Sequence, residues 1–502
     1  MIRTGEDVAT GFTERTQVCV IGSGAGGAVV AGTLAEAGFE VVLLEEGQRV
    51  GRDAMTQREE QMYPLLYRDG GNQMTADGGV SVLQGRTLGG STVVNMADVV
   101  PIPDEVVAHW RQVHGCTRFS VQEWRDVGAL ASRSVGANRI PAEQINRNGQ
   151  VLLDGAAALG LPAEAFVHNR VGCIGSGYCL IGCAYDAKKS MALTWIPRAL
   201  QTGNTLVQTD ARVTRLSWLG DTIRAAEGHV VERGSQALGA PFRVVADHYV
   251  LAAGAVHSPA ILMASKLGGP NVGRNLSLQP QAPVSGRMPD RVDLHRGIPQ
   301  AVYVDQEERS AELGLRGFRI ESVSAAPGMA AATSTAWGDA IEDFLAGFQR
   351  LSASLALVPD VPSGHISLQG NGRPKIHYTW TPEWTERLRV AVKTAAQVYL
   401  AAGADEVYLP FVGAPVIRSA SDLEGLDRFA IRPSSLPLIS AHPQGTCRMN
   451  DVLDERFFVQ GVRNLQVLDA SVFPTSSSSH TMIPVMQAAL LGARDAEETL
   501  RG

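Results

Sequence analysis

The chain has 502 residues, more than one ordinary domain of ~100–200 residues holds, so two or three domains are expected. Hydrophobic residues make up 45% and charged ones 19%, a globular composition, and the net charge of −7 gives no electrostatic reason to expect nucleic acid as partner. No run of ~18 uncharged apolar residues is present, which excludes a membrane-spanning helix. The leading residues MIRTGEDVATGFTERTQ hold no apolar signal core, and six cysteines are no disulfide framework. A cytoplasmic protein is expected.

In chain order, the first strong element is a strand at Val18–Ile21 running into GSGAGG and an Ala-rich helix. Gly38 ends the helix, and a second strand, Glu40–Leu44, ends at Glu45. Gly22, Gly24 and Gly27 occupy the G-x-G-x-x-G positions. The first permits the tight turn, the second lets backbone approach a pyrophosphate, and the third lets helix and strand pack closely. A carboxylate at Glu45 can accept from ribose hydroxyls and disfavours a 2′-phosphate, which leaves FAD or NAD.

A second glycine-rich stretch, GRTLGGSTVVN (Gly85–Asn95), follows. VGCIGSGYCLIGCAYDAKKS then gathers Cys173, Cys179 and Cys183 in a glycine-rich loop. Residues 204–252 read as short strands and turns ending in a buried-type strand, His248–Ala255. Residues 281–435 carry mixed strand and loop signals, with a helix near Glu383–Ala402. A short strand is predicted at Asn464–Asp469 and an amphipathic helix at Ile483–Leu500, with Pro484 near its first turn. No internal repeat is visible.

Five segments, in order, resemble the glucose–methanol–choline (GMC) oxidoreductases, FAD-dependent alcohol oxidases and dehydrogenases. They are GRTLGGSTVVN, AAGAVHSPAILMAS (Ala252–Ser265), VGRNL (Val272–Leu276), SAHPQGTCRM (Ser440–Met449) and LQVLDASVFPTSSSSHTMIP (Leu465–Pro484). The resemblance implies an α/β fold: a discontinuous Rossmann-like FAD-binding domain plus an α+β substrate domain with a largely antiparallel sheet. Residues 1–284 would form the FAD domain, with about 100–190 inserted on the substrate side. Residues 285–435 would form the substrate domain, and 436–502 would return to the FAD domain.

Motif by motif, the resemblance places Gly89, Gly90 and Ser91 along the FAD diphosphate and Asn95 and Met482 beside the flavin. Val213 would meet adenine through its backbone, and Asp469 and Ala470 would lie by the ribityl and diphosphate groups. Two departures stand out. Val94 replaces the histidine that tethers flavin in some members, so FAD should be non-covalent. Gln279 replaces a histidine that often follows VGRNL, without an assignable role.

Oxidising an alcohol by hydride transfer to flavin N5 needs a base, and histidine, with a pKa of about 6.5, suits that task. Eleven histidines are present, so one alone says little. His442, opening HPQGTCRM, and His480, closing PTSSSSH, match the family's paired catalytic positions. His442 is read as the base and His480 as the group orienting the alkoxide, with reversed roles as the alternative. The N-terminus of the helix near Pro484, carrying ~+0.5 charge, would face the flavin.

The three cysteines leave two readings open: structural thiols, or ligands of an iron–sulfur cluster as in bacterial FAD glucose dehydrogenases. The substrate is expected to be a small neutral, partly apolar alcohol, because Ser322–Phe348 is rich in small and apolar residues. O2 or an electron-acceptor protein or quinone would take the electrons. The alternatives are a sugar or glycoside dehydrogenase with the three-cysteine cluster and a flavin-binding protein without turnover. Retention of both histidines argues against the latter.

Overall fold

The computed structural model describes residues 1–306 and 317–502. Two eight-stranded sheets organise it. The first runs in the order Ile2–Arg3, Thr205–Gln208, Val41–Leu44, Phe12–Ile21, Leu238–Leu251, Thr222–Val231, Ala211–Leu219. Val41–Leu44, Phe12–Ile21 and the end of Leu238–Leu251 pair in parallel, and Leu465–Val467 adds a further parallel strand beside Tyr249–Leu251. These inner strands are apolar on both faces, as a sheet covered by helices on both sides requires. A Rossmann-like unit is therefore assembled from chain segments more than 400 residues apart.

Differences from the sequence reading have local causes. The strand expected to continue to Ala255 stops at Leu251, because Gly254, at φ +82°, opens the helix Gly254–Ala264. Asp469 fixes that start, its carboxylate accepting from Gly254 N–H at 2.9 Å and from the Ser258 hydroxyl. The C-terminal helix spans Met482–Arg501, and Met482–Ala493 are all buried. An amphipathic helix would expose one face. Here Ala25–Glu36 and Val121–Ser134 cover two sides and the side chain of Leu468 meets Gly492. Asp495, fully buried on this helix, is ion-paired with Arg118 at 2.6 Å and Arg456 at 3.4 Å.

The second sheet is largely antiparallel, in the order Ser81–Val82, Ile439–Ser440, Gln281–Arg287, Leu351–Leu357, Phe318–Ser322, Val302–Gln306, Ala163–Ala165, with Glu406–Tyr408 pairing Gln281–Arg287. Side-chain alternation gives it two distinct faces. Gly286 faces the helix Pro382–Ala401, where a Cβ would come within 2.7 Å of the Tyr399 ring. Pro283, Ser285, Ala353 and Leu355 face the other way, into a cavity between the two sheets. Glu321 is the register partner of Leu355 and shares that face. Among the described residues no helix is long and apolar enough to cross a membrane.

Candidate active site

The cavity measures about 1330 Å³, beyond the ~300–1,000 Å³ usual for one small ligand and enough for an extended dinucleotide with a second molecule beside it. At one end lies the first glycine turn. Gly22 has φ +103°, and a Cβ there would sit 2.3 Å from the Ala252 carbonyl. Gly24 caps the helix Ala25–Glu36 without a side-chain hydrogen bond, and nothing lies within 4 Å of its Cβ position. The free N–H groups of that helix start and the bare Gly24 face form a cradle for an anion.

Gly27 does not line the cavity; a Cβ there would come within 1.8 Å of the Gly22 carbonyl, so its role is the close packing of helix on turn. Gly89 also lies behind the wall, while Gly90 is in it and packs onto Gly24. Ser91 is exposed, and its hydroxyl accepts from Gly85 N–H at 2.9 Å.

Glu45 is buried and already engaged. Its carboxylate accepts from Ser23 N–H at 3.0 Å, the Ser23 hydroxyl at 2.5 Å and Gly47 N–H at 2.8 Å. Burial pushes its pKa up, opposed by the Ser23 and Gly47 donors. Ser23 Oγ accepts in turn from Gly89 N–H at 2.9 Å, tying the two glycine turns together. Ser23 went unread in the sequence because the motif leaves its position free.

Beside Val213, which lines the cavity on the strand Ala211–Leu219, stands a charge cluster with no sequence signature. Glu46 pairs with Arg68 at 2.7 Å and Arg212 at 2.7 Å. Burial opposes its charge, but the two guanidinium groups hold its carboxyl below the usual range. The neighbouring His257 is pushed down to about 3 by burial and by Arg68.

At the other end the two histidines meet. The rings of His442 and His480 lie 5.0 Å apart, edge to face, and both line the cavity. PTSSSSH is held at this place by hydrogen bonds to distant segments, although Ser476 Oγ is buried without a partner. Thr475 accepts from Trp110 Nε1 at 2.7 Å, Ser477 N–H donates to Gln444 at 2.9 Å, and Ser479 donates to the Val100 carbonyl at 2.7 Å. Gln279 acquires a role here: its Nε2 donates to the Ser479 carbonyl at 2.9 Å, next to His480.

Glu321, fully buried, lies 3.2 Å from His480 Nε2 and accepts from Gln300 Nε2 at 2.7 Å. Burial disfavours charge on His480, yet Glu321 outweighs it and lifts the pKa above the ordinary histidine value. His442 goes the other way: burial first, then His480, hold it well below that value. Nδ1 of each ring is buried without a hydrogen-bond partner. Asp98 also lines the cavity, 2.6 Å from His168 Nε2, and burial raises its pKa.

Asn95 and Met482 are in contact, Nδ2 lying 3.3 Å from the sulfur. Both line the cavity, as do Asp469 and Ala470. No side chain caps the helix that starts at Met482. Asp469 is largely consumed by its own fold, accepting also from Ser471 N–H at 2.8 Å. Glu321, Gln300 and Asp98 were missed because they sit on strands and turns with no local motif.

The three thiols of Cys173, Cys179 and Cys183 line a separate small cavity. Among the described residues, no group of three or more His, Cys, Asp or Glu is arranged to hold a metal ion. The iron–sulfur reading thus finds no ligand set there.

A dinucleotide cradle with orphaned helix N–H groups, facing a buried imidazole pair across one cavity, defines a nucleotide-dependent oxidoreductase. Comparison with known proteins narrows the class. Residues 63–281 and 360–489 match the N- and C-terminal parts of the GMC oxidoreductase family, and residues 20–87 match an NAD(P)-binding Rossmann-like domain. An uncharacterized GMC-type oxidoreductase of Mycobacterium tuberculosis is 33% identical over 95% of this chain and 75% of its own length. The long-chain-alcohol oxidase FAO4A of Arabidopsis thaliana is 28% identical over 94% of this chain and 67% of its own. The crystal structure of pyridoxine 4-oxidase from Mesorbium loti superposes with a TM-score of 0.72 at 20% identity, covering 96% of this chain and 99% of that one. The chain belongs to the GMC oxidoreductase family, a family of FAD-binding flavoproteins.

Proposed function

We propose that this protein oxidises the CH–OH group of a neutral, partly apolar alcohol to the carbonyl, with His442 as the base. The observation that carries the reading is the opposite push on two touching imidazoles, since paired groups whose pKa values are driven apart divide acid and base work between them. FAD, held non-covalently when bound, supplies the two-electron acceptor for the substrate hydride. The uncapped helix at Gly24 and the Gly90 turn would hold its diphosphate, Glu45 its ribose, and Asn95 with Met482 the flavin. His442, neutral at working pH, takes the hydroxyl proton. His480, kept protonated by Glu321, donates to the developing alkoxide and holds it in place.

Hydrophobic side chains make the substrate end of the cavity, among them Val323, Phe344, Leu351, Leu355 and Leu409. This favours an apolar alcohol, and the relatives named long-chain-alcohol oxidases favour dioxygen as the electron acceptor. The proposed division of labour puts FAD on residues 1–284, with about 100–190 inserted on the substrate side, and on 436–502, and substrate on 285–435, with the strand Gln281–Arg287 crossing between them.

The deciding experiment is anaerobic addition of straight-chain, aromatic and sugar alcohols to the FAD-loaded protein while the visible absorbance is followed. Bleaching by apolar alcohols is expected. If dithionite bleaches the flavin and no alcohol does, the reading fails.

Glu321→Gln is expected to lower kcat about ten- to a hundredfold, the scale of one lost charge-assisted hydrogen bond of ~1.5–3 kcal/mol. The sign of its pH effect is fixed. A raised pKa keeps His480 charged below it and loses the charge as pH rises through it, so the wild-type rate should fall on the alkaline side, above about 6.5. In Glu321→Gln that fall moves to lower pH. A kcat–pH profile with an unmoved alkaline limb would count against the pairing.

A further inference from the structure

The segment from Arg170 to Lys188 is a closed loop, its ends joined as an antiparallel bridge and Val171 N–H donating to the Ala187 carbonyl at 2.9 Å. Cys173 and Cys183, both half-buried, lie within this loop, and Cys179, between them in sequence, is buried. All three line one small cavity of about 10 Å³, the room of about one water. The loop is at the surface, where Ile174 and Tyr185 are exposed. Two donors are aimed at the Cys173 sulfur: Gly175 N–H at 3.4 Å and Arg170 Nη1 at 3.8 Å.

The loop also backs directly onto the FAD and substrate cavity. Leu180, next to Cys179, lines that cavity, and Lys188 Nζ donates to both the Cys179 carbonyl at 2.7 Å and the Asn95 carbonyl at 2.6 Å. The proposed chemistry uses none of these sulfurs.

We propose that Cys173 and Cys183 form a peroxide-oxidisable dithiol, a modification site that closes to a disulfide across this loop. The three thiols share a cavity with room for about one water, and Cys173 and Cys183 are the two that are not fully buried. One sulfur attacks hydrogen peroxide, breaking the O–O bond to give a sulfenic acid and one water. The second thiol then attacks that sulfur, forming the S–S bond and releasing a second water. Two thiol hydrogens and two electrons leave the protein and one peroxide is consumed. Dioxygen reduction at this site, where the proposed function holds, is one source of the oxidant. The dithiol itself does not depend on that reading.

The test treats the FAD-loaded protein with hydrogen peroxide, alkylates free thiols, digests, and maps peptides by mass spectrometry. The expected result is a peptide pair joined through Cys173 and Cys183, lighter by about 2 Da and separated by dithiothreitol. The titratable thiols of the denatured protein fall from six by two, and Cys19, Cys116 and Cys447 stay reduced. In Cys183→Ser the link disappears and dimedone traps a sulfenic acid at Cys173. Linkage through other cysteines, sulfinic or sulfonic acids without any linked peptide, or stoichiometric iron and acid-labile sulfide on these cysteines would each overturn the proposal. The wild-type map decides even if the variant does not fold. Added peroxide keeps its failure distinct from a failure of alcohol oxidation.

Discussion

Replacing His442 with alanine is expected to slow bleaching of the flavin by alcohol about 10²- to 10⁴-fold, the usual loss when a positioned base is removed. FAD content should stay near wild type, because His442 lies at the end of the cavity away from the Gly24 cradle. Among the described residues its side chain makes no hydrogen bond, Nδ1 being buried and unpartnered, so its removal breaks no hydrogen bond there.

The pH profile gives an independent reading. A histidine held well below 6.5 is neutral above its own pKa and becomes protonated only as pH falls through it, so the acid limb of the wild-type profile should lie below about 6.5. In His442→Ala that limb should vanish. A variant with full rate and an intact acid limb would remove His442 from the chemistry and turn attention to Asp98 or to His480.

Gly24→Val is expected to give a folded protein that fails to hold its cofactor. Gly24 has φ −68° and ψ −164°, extended backbone that valine accepts, and nothing stands within 4 Å of the added Cβ. The new methyl groups would instead fill the space where a diphosphate approaches the helix start. Overfilling of this kind costs ~1–3 kcal/mol, about five- to 150-fold in affinity. The flavin-to-protein absorbance ratio checks the loss, and the unfolding temperature of the apoprotein, unchanged from wild type, checks the fold. Full flavin occupancy in Gly24→Val would mean that the diphosphate binds elsewhere. Gly22→Val makes the contrast, since it forces a positive φ and a carbonyl clash and should not fold.

What the sequence made legible was chemistry carried by neighbours in the chain. Gly22, Gly24 and Glu45 were readable because turn, helix start and strand end follow within one β-α-β unit, and HPQGTCRM and PTSSSSH each present a histidine in a distinctive setting. All of these lie around the one cavity except the packing glycines Gly27 and Gly89. The groups that set the charge state of the pair were not legible. Glu321 sits on a short strand whose register with Leu351–Leu357, not any motif, turns it inward. Glu46 looks like a duplicate of Glu45 until Arg68 and Arg212 arrive from distant segments. Burial misled in the same way at the C-terminal helix, where two other helices hide the face that periodicity assigned to solvent.

The strand Leu465–Val467 completes a sheet whose other strands come from the first 251 residues, and the helix Met482–Arg501 completes a cavity wall that begins at the N-terminal glycine turns. A ribosome adds roughly 5–20 residues per second, so about 20 to 80 s separate the emergence of Asn95 from that of His480. Throughout that interval the nascent glycine turns lack the wall that would enclose a flavin. The growing chain must stay soluble with one edge of Tyr249–Leu251 unpaired and the face of Ala25–Glu36 that meets the C-terminal helix uncovered. Cofactor capture thereby waits until the segment from Leu465 to the helix Met482–Arg501 has emerged, and a ribosome-stalled chain ending before Leu465 should retain no flavin.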